Sequence, residues 1–163
     1  MKFGPETFGE LNAEDYDALH DPGTTSESVA LIGELAAGGR VLELAIGTGR
    51  MALPLAATGL EVCGIEGSPD MVARLREKPG GKDIPVVTGD FADVAIDGPF
   101  DHVFLVFNTL FNLTSQDAQV RCFANVARCL APGGTFLVET FVPDAEPARS
   151  SQNVRTMNVG FNS

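Results

Sequence analysis

Residues 41–50, VLELAIGTGR, constrain this chain more than any other stretch. The apolar run Val41, Leu42 and Leu44 reads as a short buried strand, Gly47 and Gly49 as a turn, and a helix is expected to open at about Arg50. Glycine tolerates positive φ and lets a ligand approach a backbone that a β-carbon would shield. A strand, a glycine turn and a helix N-terminus together make a corner at which nucleotides bind. The same turn also occurs with no ligand, so the rest of the chain has to decide between the two.

Punctuation along the chain is regular. Residues 26–37 are predicted helical, with Thr24 and Glu27 at capping-box spacing, Gly38-Gly39 as the stop, and Val29, Ile32, Leu35 and Ala36 as the buried stripe. Strands are predicted over 41–45, 61–65, 85–88, 102–107 and 135–141. Helices are predicted over 51–57, over 69 to about 78, and over 116–130. Pro54 is tolerable near a first turn. Ser68 as N-cap, Pro69 at the first helical position and Asp70 beside it make a strong helix start. Thr114 or Ser115 caps the last helix, whose predicted stripe is Val120, Phe123, Ala127 and Leu130, and Pro132-Gly133-Gly134 ends it. VFLVF at 103–107 has the continuous apolar character of a strand buried on both faces. Five strands alternating with helices predict an α/β fold, a doubly wound, mostly parallel sheet with right-handed crossovers. Residues 1–25 form an N-terminal cap segment in this reading, 26–142 the sheet domain, and 143–163 a polar tail in which only 154–159 has strand character.

Composition narrows the function classes. A net charge of −11 argues against a nucleic-acid or anionic-membrane binder, since both need a basic face. The N-terminal MKFGPETFGELN lacks the apolar core of a signal peptide, and no run approaches membrane-spanning length, so a cytoplasmic location is expected. Cys63, Cys122 and Cys129 form no CxxC pair and show no metal-ligand spacing; they read as small hydrophobes in a reducing compartment.

In an open α/β sheet, ligands bind beyond the carboxyl ends of the strands. The chain places Gly47 and Gly49, Glu66, Asp90 with Phe91, Asn108, and Glu139 at successive strand ends. An acid after the second strand suits the two hydroxyls of a ribose. A second acid after the third suits an exocyclic amine such as that of adenine, with Phe91 against the base.

At this point the sequence resembles the class I S-adenosylmethionine-dependent methyltransferases, over about residues 25–142. VLELAIGTGR is similar to their glycine motif, CGIEGSPDM to the second-strand acid and helix start, and GDF to the adenine-binding element. FDHVFLVFNTLFNL is similar to the fourth-strand motif and LAPGGTFLVE to the turn into strand five. The resemblance implies a Rossmann-like sheet of order 3-2-1-4-5 and S-adenosyl-L-methionine as cofactor. It further implies Tyr16, Glu43, Ala45, Gly47, Gly49, Glu66, Gly67, Asp90, Phe91 and Asn108 as cofactor-binding residues. Within that set Gly47 and Gly49 would back the methionine part, Glu66 would hold the ribose, and Asp90 with Phe91 the adenine. Asn108 would border the transferred methyl, and His20, Asn108 and Glu139 are the catalytic candidates.

The chain departs from the family pattern in three places. Ala45 stands where many members have the first glycine of the motif. Asn108 is followed by Thr-Leu-Phe rather than the Pro-Pro-aromatic motif of DNA and amide-nitrogen enzymes, which favours a small-molecule acceptor. The family's last two strands have no counterpart, so strand five is expected at an edge, covered by residues 154–159 or by a second copy in a homodimer. Two other readings stay open. Residues 47–52 satisfy G-x-G-x-x-A with Glu66 nineteen residues on, the pattern of nicotinamide-dependent oxidoreductases. A cofactor-binding module without catalysis is the other.

Overall fold

The computed structural model describes residues 4, 6, 7, 9, 13, 16–19 and 23–141. A short helix α1 (Tyr16–Leu19) precedes α2 (Thr25–Ala36), β1 (Arg40–Leu44), α3 (Ala52–Ala57), β2 (Glu61–Glu66) and α4 (Pro69–Glu77). β3 (Val86–Thr88), β4 (Phe100–Leu105), a 3-10 turn (Thr109–Asn112), α5 (Gln116–Cys129) and β5 (Leu130–Val138) follow. The sheet has the expected order, β3-β2-β1-β4-β5, and every neighbouring pair is parallel. Strand five is its edge among the described residues; residues 154–159, expected to cover that edge, lie outside them.

Local chemistry accounts for most element ends. Ser68 Oγ accepts from the Met71 N–H and Ser115 Oγ from the Ala118 N–H, so α4 and α5 each satisfy one orphan donor at their start. The capping box expected at Thr24 does not form: Thr24 makes no side-chain cap bond, and its carbonyl accepts the Ser28 N–H instead. Ala37 closes α2 in the left-handed conformation.

Two strand boundaries differ from expectation. β4 begins at Phe100 and ends at Leu105, two residues ahead of the predicted 102–107, and Phe100 pairs with Leu130. β5 begins at Leu130: it pairs there, bulges through Pro132-Gly133-Gly134, and resumes at Thr135 opposite His102. The glycines therefore shape a bulge within the strand rather than a turn before it.

The sheet is covered on both faces. Leu42, Leu44, Cys63, Ile65, Val103 and Leu105 pack with Cys122, Val126 and Cys129 of α5. Val41, Val62 and Phe104 pack on the other side with Ile32 and Ala36 of α2, Ala52 and Leu55 of α3, and Leu75 of α4. All three cysteines are buried and free, as expected of small hydrophobes. The stripe expected on α5 is wrong by about one position: Cys122, Asn125, Val126 and Cys129 are buried, while Val120 is 61% and Phe123 48% exposed. Phe123 faces Phe136 edge-on at the open side of β5, so its apolar character serves the sheet edge, not the core.

Candidate functional site

A cavity of about 350 Å³ opens beyond the carboxyl ends of the strands. Tyr16, Ala45, Gly47, Glu66, Gly67, Asp90, Phe91 and Asn108 line it together, so eight of the expected residues converge on one hollow. Ligand pockets usually hold about 300–1,000 Å³. Gly49, Glu43 and Glu139 are not in its lining, and His20 lies outside the described residues.

The turn after β1 is built from backbone. The Ile46 N–H donates to Ile65 O and the Gly49 N–H to Ile46 O, both at 3.0 Å. Ala45, Gly47 and Gly49 all have positive φ, at 54°, 56° and 82°. Ala45 thus holds a left-handed conformation that a glycine would adopt freely. The two glycines serve different ends. A β-carbon on Gly47 would meet nothing nearer than Ala45 O at 3.9 Å, whereas one on Gly49 would overlap Leu75 Cδ1 and reach Leu53 Cγ at 3.2 Å. Gly47 leaves open space beside the cavity; Gly49 lets α4 pack against the turn. Gly49 thus stands behind the turn, against Leu75 and Leu53, and outside the cavity lining.

Glu66, the last residue of β2, is buried. Its Oε2 accepts the Gly47 N–H and its Oε1 the Ser68 N–H, each at 2.8 Å, so one carboxylate clasps the glycine turn to the start of α4. Burial raises its pKa, and hydrogen bonds from the N–H groups of Ser68, Gly47 and Gly67 oppose that rise. A carboxylate has about four lone-pair sites, so acceptor capacity remains for a ligand hydroxyl. Asp90 accepts the Ala92 N–H at 2.8 Å, which turns the chain after β3. Asn125 of α5 donates to Phe91 O at 3.3 Å and Val94 O at 2.7 Å, fixing the backbone behind Phe91.

Glu43 sits in the middle of the sheet, paired with Gly64 and Phe104, and is 4% exposed. Burial pushes its carboxyl well above the usual range; the Arg50 charge opposes this, the Glu66 charge adds to it, and the Ala52 N–H opposes it. Its Oε2 has no hydrogen-bond partner among the described residues. Arg50 donates to Thr25 Oγ1 at 3.0 Å and lies 5.2 Å from the centre of the Phe107 ring. Tyr16 is half-buried, and burial raises its phenol despite the nearby Arg50 charge.

Some site features were not foreseen. Thr48 Oγ1 donates to Asp17 Oδ1 at 2.5 Å, Lys78 Nζ reaches Asp17 Oδ2 at 2.6 Å, and Lys78 also donates to Thr48 O at 2.9 Å. This network ties α1, and with it Tyr16, to the glycine turn and to the end of α4. Burial works against ionisation of Asp17, but hydrogen bonds from Lys78 and Thr48 outweigh it and lower its pKa. Nothing local marks these partners, since 31 residues separate Thr48 from Asp17.

Phe107 and Asn108 follow β4 with φ of 62° and 59°. Asn108 lines the cavity, but three residues beyond the strand rather than at its end. Its Oδ1 accepts the Phe141 N–H at 2.6 Å. Glu139, expected as a catalytic acid, has its Oε2 on the Phe107 N–H at 3.1 Å. His102 is buried on β4 against Thr135 Oγ1 at 2.7 Å and is not in the cavity lining.

A parallel sheet of this order, with acids after two adjacent strands and a glycine turn around one hollow, defines an adenosyl-binding α/β domain. A family model described as a methyltransferase domain matches residues 41–134. Cypemycin N-terminal methyltransferase from a Streptomyces species is 30% identical over 158 residues, covering 94% of this chain and 63% of its own length. The structure of the CcbJ methyltransferase from Streptomyces caelestis superposes with a TM-score of 0.77 at 40% identity, over 82% of this chain and 57% of that one. The glycopeptide N-methyltransferase MtfA, in complex with S-adenosyl-L-methionine, gives a TM-score of 0.59 at 31% identity over 73% of this chain and 51% of that one. The chain belongs to the class I S-adenosylmethionine-dependent methyltransferase family, and its cofactor is S-adenosyl-L-methionine. It spans about 60% of the length of the cypemycin and CcbJ enzymes. The nicotinamide reading falls with this assignment.

Proposed function

We propose that the chain carries the cofactor half of an enzyme that transfers a methyl group from S-adenosyl-L-methionine to a small-molecule or peptide amine. The observation that carries this reading is the convergence of Gly47, Glu66 and Asp90 on one cavity of about 350 Å³. Glu66 holds the ribose hydroxyls, Asp90 and Phe91 hold the adenine, and Ala45 and Gly47 let the methionine part approach the backbone. Glu43, buried beneath the turn with one oxygen unpartnered among the described residues, adds a polar group on the methionine side. Tyr16 and Asn108 form walls near the reacting atoms. The amine acceptor is supported by the relatives named for N-terminal and glycopeptide N-methylation.

When bound, the cofactor supplies a methyl group on positively charged sulfur, an electrophile already activated. The protein's part is to hold the acceptor nitrogen in line with that methyl at near-attack distance, which removes translational and rotational freedom from the barrier. Ala45, Gly47, Glu66, Asp90 and Phe91 would hold that cofactor, which would give up its methyl to the amine and leave with the C–S electron pair on sulfur, while Tyr16 and Asn108 would wall the acceptor side.

Titration calorimetry with S-adenosylhomocysteine and with NAD tests the site. Binding of the first alone is expected; binding of NAD alone would overturn the reading. Incubation with methyl-labelled S-adenosylmethionine and a panel of amines then separates an enzyme from a binding module. Label retained wholly on the cofactor with every amine would favour the module.

A further inference from the structure

Two consecutive non-glycine residues with left-handed backbone need an explanation, and Phe107 and Asn108 are such a pair. Both line the cavity. Neither has the freedom of glycine, and Phe107 has no local side-chain hydrogen bond with which to hold itself there. What the structure supplies is a grip from the neighbouring strand end. The Glu139 N–H donates to Leu105 O at 2.9 Å, the Asn108 N–H to Glu139 O at 3.3 Å, and the Phe107 N–H to Glu139 Oε2 at 3.1 Å. One residue thus receives or makes three bonds to the exit of β4. The return contact is Asn108 Oδ1, which accepts the Phe141 N–H at 2.6 Å, with the Phe141 ring 5.0 Å from Phe111.

We propose that Glu139 is a positioning residue: its carboxylate holds Phe107, and its backbone carbonyl Asn108, in the left-handed conformation, and so it sets the wall of the cofactor cavity at the exit of β4. It is not the proton acceptor of the reaction. Asn108 is oriented by the same grip. With its oxygen on the Phe141 N–H, the group it offers a ligand is the Nδ2 donor pair. The role rests on the cofactor assignment above, but the grip has a readout of its own in the exchange of a single amide.

The experiment compares wild type, E139Q and E139A by amide hydrogen exchange, thermal melting and calorimetry with S-adenosylhomocysteine. A glutamine keeps an acceptor oxygen at the same reach; an alanine keeps only the backbone bonds. In E139A the Phe107 amide is expected to lose at least tenfold in protection while the Glu139 amide, bound to Leu105 O, keeps its own. If the competent loop falls to about a tenth to a fifth of the population, apparent affinity for S-adenosylhomocysteine weakens about five- to tenfold. E139Q restores both to within about twofold. Melting temperatures close together across the three proteins show that the effect is local. Unchanged Phe107 protection in E139A overturns the grip. Lost protection with unchanged S-adenosylhomocysteine affinity overturns the positioning role alone. A wild type that does not bind S-adenosylhomocysteine overturns the cofactor reading, whatever the amide shows.

Discussion

Gly47 and Gly49 stand two residues apart in one turn, and alanine should affect them in opposite ways. Both have positive φ, where an L side chain costs roughly 1–2 kcal/mol. Alanine returns about 0.4–1 kcal/mol by stiffening the unfolded chain. Nothing more is added at Gly47, whose β-carbon would have 3.9 Å of clearance, so G47A should lose about 0–1.5 kcal/mol. At Gly49 the new carbon collides with Leu75, which is fully buried, and crowds Leu53, so an overpacking term of roughly 1–3 kcal/mol is added. G49A should therefore lose about 1–4.5 kcal/mol, a fall in melting temperature of roughly 2–18 °C for a chain of this length. Binding should show the reverse order of specificity. The space beside Gly47 is where the cofactor backbone approaches, so G47A should weaken S-adenosylhomocysteine tenfold or more while melting within about 6 °C of wild type. Thermal melts and calorimetry on the three proteins decide. The reasoning is refuted if G49A melts with the wild type, or if G47A binds S-adenosylhomocysteine as the wild type does.

Ala45 allows the converse test: A45G removes a left-handed alanine at φ 54° and should gain about 0–1.5 kcal/mol in urea unfolding, the relief of strain set against the added freedom of the unfolded chain. Burial lowers the pKa of His102, so the unfolded state takes up a proton that the folded state refuses. Stability should fall as pH drops below about 6.5, and H102Q should flatten that slope in melts between pH 7 and pH 5. Glu43 works in the other direction, because its folded pKa is raised. The folded state then binds the proton more tightly, and stability should fall as pH rises from about 4.3 to the raised value. E43Q should abolish that loss. Replacing Asn125 by leucine leaves Phe91 O and Val94 O without their donor, and should cost about 1–3 kcal/mol in urea unfolding with weaker S-adenosylhomocysteine binding.

Much of the fold was legible because its signals are short-range. Ser68-Pro69-Asp70 announces a helix start within three residues, and α4 begins there. The apolar run at 103–107 announces a doubly covered strand, and β4 is buried apart from Asp101. Where several signals competed, reading along the chain failed. Val120 and Phe123 fit a helical period as well as Cys122 and Val126 do; only the position of the sheet and its open edge selects between the two faces. The same holds at Thr24, where a capping-box spacing is present but the backbone angles, φ −116° and ψ 16°, do not support the cap.

The alternation of strands and helices, the turn after β1 and the acids at Glu66 and Asp90 follow from the primary structure, since each depends on residues adjacent in the chain, whereas the order of the strands was implied by the family resemblance. Which groups stand free to meet a ligand was decided by packing. Glu66 is engaged from across the turn by Gly47, Gly49 is filled by Leu75, and Glu139 is turned back onto Phe107. A side chain's partners come from wherever the fold brings them, and hydrogen-bond reach is about 3 Å in space, a distance that has no counterpart along the sequence.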